Sequence, residues 1–399
     1  MLRIRGLAAM LAAAGLIGLV SLPTWAQTEA PPAAEAETKA EAPADPIARI
    51  KEEGEKRSQV METLGTLTDI IGPRLTGSPA LKRANEWTRD RMTEWGLENA
   101  HLETWGPFGR GWTLKRFSAQ VIEPQCVPLI AVPKAWSPSL DGVLTAEVIH
   151  FDAKTEADFE KYKGKFQGAI VLMSPAVEID ARFEPLARRR TDKQLLDLAD
   201  APEPDAPRAG RPSQSPPRSP AKPDASKPLS PVELLAKKRE FLADENPALL
   251  IEPSRKGDGG TVFVQAADVF GPSPDPSEEG GPPRRPRPWL MDAKVIPQLV
   301  MAQEHYNRLV RMLAAGETIK MEVELAVEYQ DEDLNGYNTI AEIPGTDLKD
   351  EIVMLGGHLD SWHGATGATD NAVGCSVAME AARIIKALDL KPRRTIRVA

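Results

Sequence analysis

The chain has 399 residues, 49 Lys and Arg against 58 Asp and Glu, and a formal net charge of −9. That acidic balance argues against an electrostatic grip on nucleic acid. Two cysteines, Cys126 and Cys375, are too few for a disulfide framework, and they lie in separate expected elements, so the spacing does not favour a bridge between them.

Met1 to Ala26 opens with Arg3 and Arg5, runs apolar from Leu7 to Leu22 and ends in a small residue before Gln27. This is the form of a secretory leader. The rival is a membrane anchor, but Gly15, Gly18 and Ser21 interrupt the stretch and it is short for a span. Cleavage is therefore expected, leaving a secreted or periplasmic protein with no stable membrane span. No Cys stands at the cleavage point for lipid attachment. Residues 27–45 are Ala, Glu and Pro with almost no large apolar side chain, the composition of a disordered linker.

Order is expected from Pro46. Apolar residues at Ile47, Ile50, Val60, Leu64, Leu67 and Ile70 predict one or two helices. Pro79 suits the first turn of another helix, with a stripe of Ala80, Ala84, Trp87, Met92 and Trp95 and a stop at Gly96. Its tryptophans read as core. Strands are expected at Trp112 to Ile122, Val143 to Phe151, Gly168 to Met173, Ala248 to Glu252 and Thr261 to Gln265. Several short strands ahead of the last segment suggest a separate β-rich subdomain. Two Pro-rich tracts, near 201–231 and 271–288, lack the residues to pack a core. Helices at Val232 to Leu242 and Ala302 to Leu313 and a strand at Ile319 to Tyr329 complete this part.

Ile352 to Leu355 is a continuous apolar run, expected as a strand buried on both faces. The Gly-rich loop that follows carries His358, Asp360 two residues on, and Asp370 ten residues later, ahead of an amphipathic pattern from Ala372 to Leu388. Loops at the carboxyl ends of strands gather ligands in α/β proteins. Imidazole and carboxylate together suit zinc or a similar divalent ion. Asp360 is placed to orient the imidazole. Asp370 can equally be read as the N-cap of the following helix, with Asn371 as competitor. Ser361 and His363 read as solvated loop residues, and Cys375 as a small buried residue on the helix. No G-x-S-x-G elbow and no phosphate-binding G-x-x-x-x-G-K-[ST] loop is present.

The run GGHLDSWHGATGATDNAVG, Gly356 to Gly374, resembles the first metal-binding segment of the M28 family of zinc peptidases. Asn335 to Ser361 is similar to the family's approach to that segment. GPRLTGSP, Gly72 to Pro79, with the helix that carries Trp87 and Trp95, resembles the N-terminal region of its secreted members. Within the family the likeness is to the carboxypeptidase Q-like group and related secreted aminopeptidases. The resemblance implies two zinc ions per active site, with His358 as a ligand of one, Asp370 bridging both and Asp360 orienting the histidine. It also implies peptide substrates and an exopeptidase activity. It further implies a protease-associated-like domain inserted over 124–318, between a first part at 46–123 and the start of the peptidase core at 319–399.

In the family a further strand then ends in paired glutamates, one a general base and one a zinc ligand, and a later acidic residue and histidine complete the shell. Ala399 precedes any such pair, so the chain is expected to be the N-terminal fragment of a longer product, inactive by itself. The alternative is an inactive truncated relative, or a non-catalytic binding protein on the same fold. The expected fold class is α/β: a partial zinc-exopeptidase mixed sheet (phosphorylase/hydrolase-like) with flanking helices and the inserted β-rich subdomain. For the leader, N-terminal sequencing of the exported protein is expected to begin at or within a few residues of Gln27; an intact Met1 would refute this.

Overall fold

The computed structural model describes residues 45–185, 187–200, 229–270 and 287–399. The expected leader and nearly all of the linker, and most of the two Pro-rich tracts, lie outside the described residues. In chain order the first elements are α1 (Pro46–Lys56), α2 (Val60–Gly65), which continues as a wider helical turn over Thr66–Ile71, and α3 (Pro79–Glu94). Then come β1 (Glu98–Trp105), β2 (Gly111–Glu123), β3 (Val127–Pro128), β4 (Ala131–Pro133), β5 (Val143–His150) and β6 (Ile170–Leu172). They are followed by α4 (Asp192–Ala199), α5 (Pro231–Glu245), β7 (Leu249–Pro253), β8 (Gln298–Met301) and α6 (Gln303–Ala314). The last part holds β9 (Lys320–Gln330), β10 (Gly336–Ile343), β11 (Leu348–Leu355), α7 (Val373–Ala387) and β12 (Arg394–Val398).

The strands form two mixed sheets, as the α/β expectation requires. A four-stranded sheet has the order β1-β10-β12-β11, with only the β11–β12 pair parallel. An eight-stranded sheet has the order β3-β2-β9-β5-β6-β7-β8-β4, parallel from β5 through β8. β2 and β9 pair antiparallel from Gly111–Gln330 to Glu123–Lys320. They therefore belong to the same sheet as the inserted elements, although the expected boundaries at 123 and 319 placed both outside the insert. The strand next to α3 in the small sheet is instead β1, which is too polar to stand out in the sequence.

β6 and β7 are short apolar runs, IVL and LLI, because both faces of the large sheet are covered. On one face Ile170, Leu172, Leu249 and Ile251 pack with Leu299, Met321 and Val323 against Tyr306 and Leu309 of α6. On the other, Val171 and Leu250 join Phe151, Phe159, Phe166 and Leu242 of α5. In the small sheet Ala341, Ile343 and Val398 pack with Met92 and Leu97 near α3 and with Met379 and Ala382 of α7, and Trp87 and Trp95 lie against this core. α3 starts as expected, with Ser78 accepting from Leu81 N at 3.3 Å and Pro79 in the first turn.

Two expectations fail here. β11 is not buried on both faces: Ile352, Val353 and Met354 are exposed, because among the described residues β11 pairs only with β12. Residues 261–265 form no strand. The amide of Phe263 goes to the Ser254 hydroxyl, and an isolated bridge, Ala135 to Ala266, follows the segment. Among the described residues no helix is long and apolar enough to cross a membrane.

Tyr306 ties α6 to the edge of β6. Its hydroxyl donates to Ser174 O at 2.7 Å and accepts from Ser174 N at 2.8 Å, with the ring fully buried. Tyr306→Phe strands both backbone groups and is expected to lower stability by about 1–3 kcal/mol, read from the denaturant midpoint. An unchanged midpoint would contradict this packing.

Candidate metal centre

β11 delivers the chain to His358, and the loop from there to α7 is shaped by a residue nearly three hundred positions earlier. Arg74 is fully buried. Its guanidinium donates to Leu359 O (2.8 Å), Leu67 O (2.8 Å), Gly72 O (2.7 Å), Thr366 O (3.0 Å) and Gly367 O (3.1 Å). Among the described residues no carboxylate lies within ion-pair distance of it. Removing a cation from water costs several kcal/mol. Hydrogen bonds from a charged donor return about 1.5–3 kcal/mol each, so the charge is tolerable only if the surrounding carbonyls stay in place. The backbone adds two more ties: Arg74 N donates to Ser361 Oγ at 3.1 Å, and Ser361 N donates to Arg74 O at 2.9 Å. Gly367 has φ +66°, and a Cβ there would meet Ser361 and the Arg74 guanidinium. Only glycine fits that corner of the loop.

The ligand-type side chains form a short polar relay. Thr76 Oγ1 donates to Asp360 Oδ2 at 2.5 Å. Asp360 Oδ1 lies 3.1 Å from His358 Nδ1. His358 Nε2 lies 2.8 Å from Asp370 Oδ1. A proton on Nδ1, shared with Asp360, leaves the lone pair of Nε2 facing an anionic oxygen. Two such acceptors at that separation need a cation or a proton between them. A nitrogen and a carboxylate oxygen converging in this way, with the imidazole held from behind by a second carboxylate, fit zinc chemistry. His358, Asp360 and Asp370 are all partly open to solvent, and His358 and Asp360 border cavities of about 300 and 260 Å³. Two ligands do not complete a tetrahedral shell, and among the described residues no group of three or more His, Cys, Asp or Glu is gathered to hold an ion.

The capping reading of Asp370 and Asn371 is not met. α7 begins at Val373 with no side-chain cap, and Asp370 has extended φ/ψ (−124°, 94°). Its carboxylate is turned to His358 instead. Ser361 and His363 are not solvated. Ser361 is buried against Arg74. His363 Nε2 donates to Pro133 O at 2.7 Å and its ring stands edge-on to Trp112 at 4.9 Å. Cys375 is buried on α7 as expected, and burial pushes its thiol up to about 11, so it is no nucleophile at neutral pH. Cys126 and Cys375 are both free. Arg74 and Thr76 are the site residues that the residue-by-residue reading missed. They stand in GPRLTGSP, where an arginine and a threonine between glycines were the available signal.

Residues 338–399 match the sequence model of peptidase family M28. Mouse carboxypeptidase Q is 25% identical over 348 residues, covering 86% of this chain and 58% of that protein. The carboxypeptidase Q of Xenopus laevis is 38% identical over 108 residues, covering 27% of this chain and 23% of that protein. The crystal structure of a Peptidase M28 precursor from Shewanella amazonensis SB2B matches with a TM-score of 0.51 at 21% identity, covering 89% of this chain and 67% of that one. This last likeness shows a shared fold. The chain spans 58% of the length of the mouse relative.

His363 links the loop to β4 of the other sheet, and burial lowers its pKa below the ordinary histidine value of about 6.5. The folded state therefore refuses a proton that the unfolded chain accepts. The stability tied to this neutral histidine is present above about pH 6.5 and is lost as pH falls through the lowered folded value. His363→Gln is expected to flatten the decline in urea midpoint between about pH 7 and pH 5. An identical decline in both proteins would contradict a buried neutral His363.

Proposed function

From a chain that resembles the M28 zinc peptidases, carboxypeptidase Q among them, we propose the N-terminal part of a secreted or periplasmic zinc exopeptidase. The full-length protein would remove residues from peptides as an aminopeptidase, carboxypeptidase or dipeptidase. The observation that carries this reading is the relay Thr76–Asp360–His358–Asp370 at one loop. His358 Nε2 would ligate one zinc ion. Asp370, with two carboxylate oxygens exposed, would bridge two. The further ligands and the general base would come from outside the described residues. Bound zinc supplies an acidified water as nucleophile and polarises the peptide carbonyl. Asp360 keeps the proton on His358 Nδ1, so that Nε2 presents its lone pair, and Thr76 holds Asp360 in turn. The elements from β2 to β9 would form a protease-associated-like domain beside the cleft, tied to the loop through His363 and Pro133.

In the full-length protein Asp370→Ala is expected to lose both zinc and activity. Asp360→Asn is expected to keep most of its zinc while activity falls roughly 10–100-fold. Zinc content and hydrolysis of aminoacyl and dipeptide substrates are measured on both variants. Full activity in Asp370→Ala would refute the assignment. A full-length protein that binds peptides but hydrolyses none would favour the rival, a non-catalytic binding protein on the same fold.

A further inference from the structure

The cavity of about 260 Å³ that the ligand residues line is also lined by aromatic rings drawn from three distant parts of the chain. Phe108 sits on the turn between β1 and β2, Trp136 follows β4 and Trp289 precedes β8. The Phe108 and Trp289 rings stack at 5.2 Å with 13° between planes. Trp136 closes on Trp289 at 4.9 Å and on Phe108 at 6.1 Å. The same cavity is lined by His358, Asp360 and Asp370. The lining therefore combines the metal-centre residues with aromatic rings, to which Trp362 of the same loop adds a further one.

Resting on the peptidase reading above, we infer that this cavity is the specificity pocket for an aromatic side chain on a residue flanking the scissile bond. A ligand with a polar backbone and a flat apolar group matches a cavity lined by both kinds of residue. The volume suffices, since a cavity of about 150 Å³ admits benzene. Offset-stacked and edge-on contacts favour an aromatic ring over an aliphatic chain.

The wall is more than the core of the junction between the two sheets. Leu75, Trp112, Ala135 and Trp136 form that core and are buried, whereas Phe108 and Trp289 are only half-buried. The wall is also held in place from behind. Trp136 has φ +62°, a conformation bulky residues rarely adopt. Its carbonyl accepts from Tyr329 Oη at 2.5 Å, and its indole donates to Arg110 O at 2.9 Å. Gly109 lets the turn pass so close to Trp289 that a Cβ would lie 2.5 Å from its carbonyl oxygen.

The test uses the full-length, zinc-loaded protein and peptides with Phe, Leu, Ala or Arg on either side of the cleaved bond. The kcat/KM ratio of the best Phe peptide to its Ala counterpart is expected to exceed about tenfold. Phe108→Ala and Trp289→Ala are each expected to cut that ratio at least about tenfold, and Trp289→Phe to restore most of it. In parallel, calorimetry on the metal-free protein is expected to show phenylalaninamide binding more tightly than alaninamide, with the difference lost in Trp289→Ala. Normal hydrolysis with the same side-chain ratio in every variant overturns the pocket and leaves the peptidase reading standing. Absent hydrolysis with Trp289-dependent phenylalaninamide binding does the reverse. Absence of both refutes both, and a preference for Arg peptides overturns the aromatic assignment.

Discussion

A guanidinium buried without a carboxylate has to be surrounded by carbonyl oxygens, and Arg74 finds five of them. Three belong to the loop after β11: Leu359, Thr366 and Gly367. The other two, Leu67 and Gly72, lie near the start and just past the end of the helical stretch that follows α2. The charge thus sets a condition on two chain segments at once. If the loop moves, hydrogen bonds to a charged group are lost one by one, at about 1.5–3 kcal/mol each. The loop is therefore held at both ends of the stretch between Asp360 and Asp370. The relay from Thr76 through Asp360 and His358 to Asp370 stands on that frame, since Thr76 is only two residues from Arg74 and shares its placement.

The second constraint comes from the other sheet. Its central strands are apolar on both faces and covered by α5 and α6, which makes a rigid block from β5 to β8. That block reaches the loop through the His363–Pro133 hydrogen bond and through Trp136 and Trp289. The carboxylates and the rings of Phe108, Trp136 and Trp289 thus line one cavity, although the elements that carry them belong to different sheets. Chemistry and selectivity can then be carried by separate structural units, with the polar ends of the ligand residues exposed, Phe108 and Trp289 half-buried and Trp136 buried.

His358, Asp360 and Asp370 were legible in the sequence because they lie within thirteen residues of one another, between a strand pattern and a helix pattern. Arg74 and Thr76 were not, because Thr76 meets Asp360 across 284 residues and no local pattern encodes that meeting. The reading of Asp370 as a cap failed for a related reason. A carboxylate ahead of a helix suits capping and ligation equally by sequence, and in the fold Asp370 makes no cap and its carboxylate turns to His358. Ile352 to Leu355 shows the limit of an apolar run: it specifies a strand, while burial depends on neighbours, and among the described residues β11 has only β12 beside it. The central strands β6 and β7 were read correctly because they are apolar and covered. β1 escaped because its alternation is too polar to register, although pairing with β10 holds it in place.

Arg74 holds the loop that carries His358, Asp360 and Asp370, and zinc affinity tests most directly whether that hold matters to the candidate site. Calorimetric titration of the metal-free full-length protein would compare the native chain with Arg74→Lys and Arg74→Met, with circular dichroism confirming that each is folded. A lysine ammonium has fewer donors and cannot span the same carbonyls. Both variants are expected to bind zinc roughly 10–100-fold more weakly, Arg74→Met the more so. Folded variants with native zinc affinity would contradict the claim that the buried guanidinium organises the site.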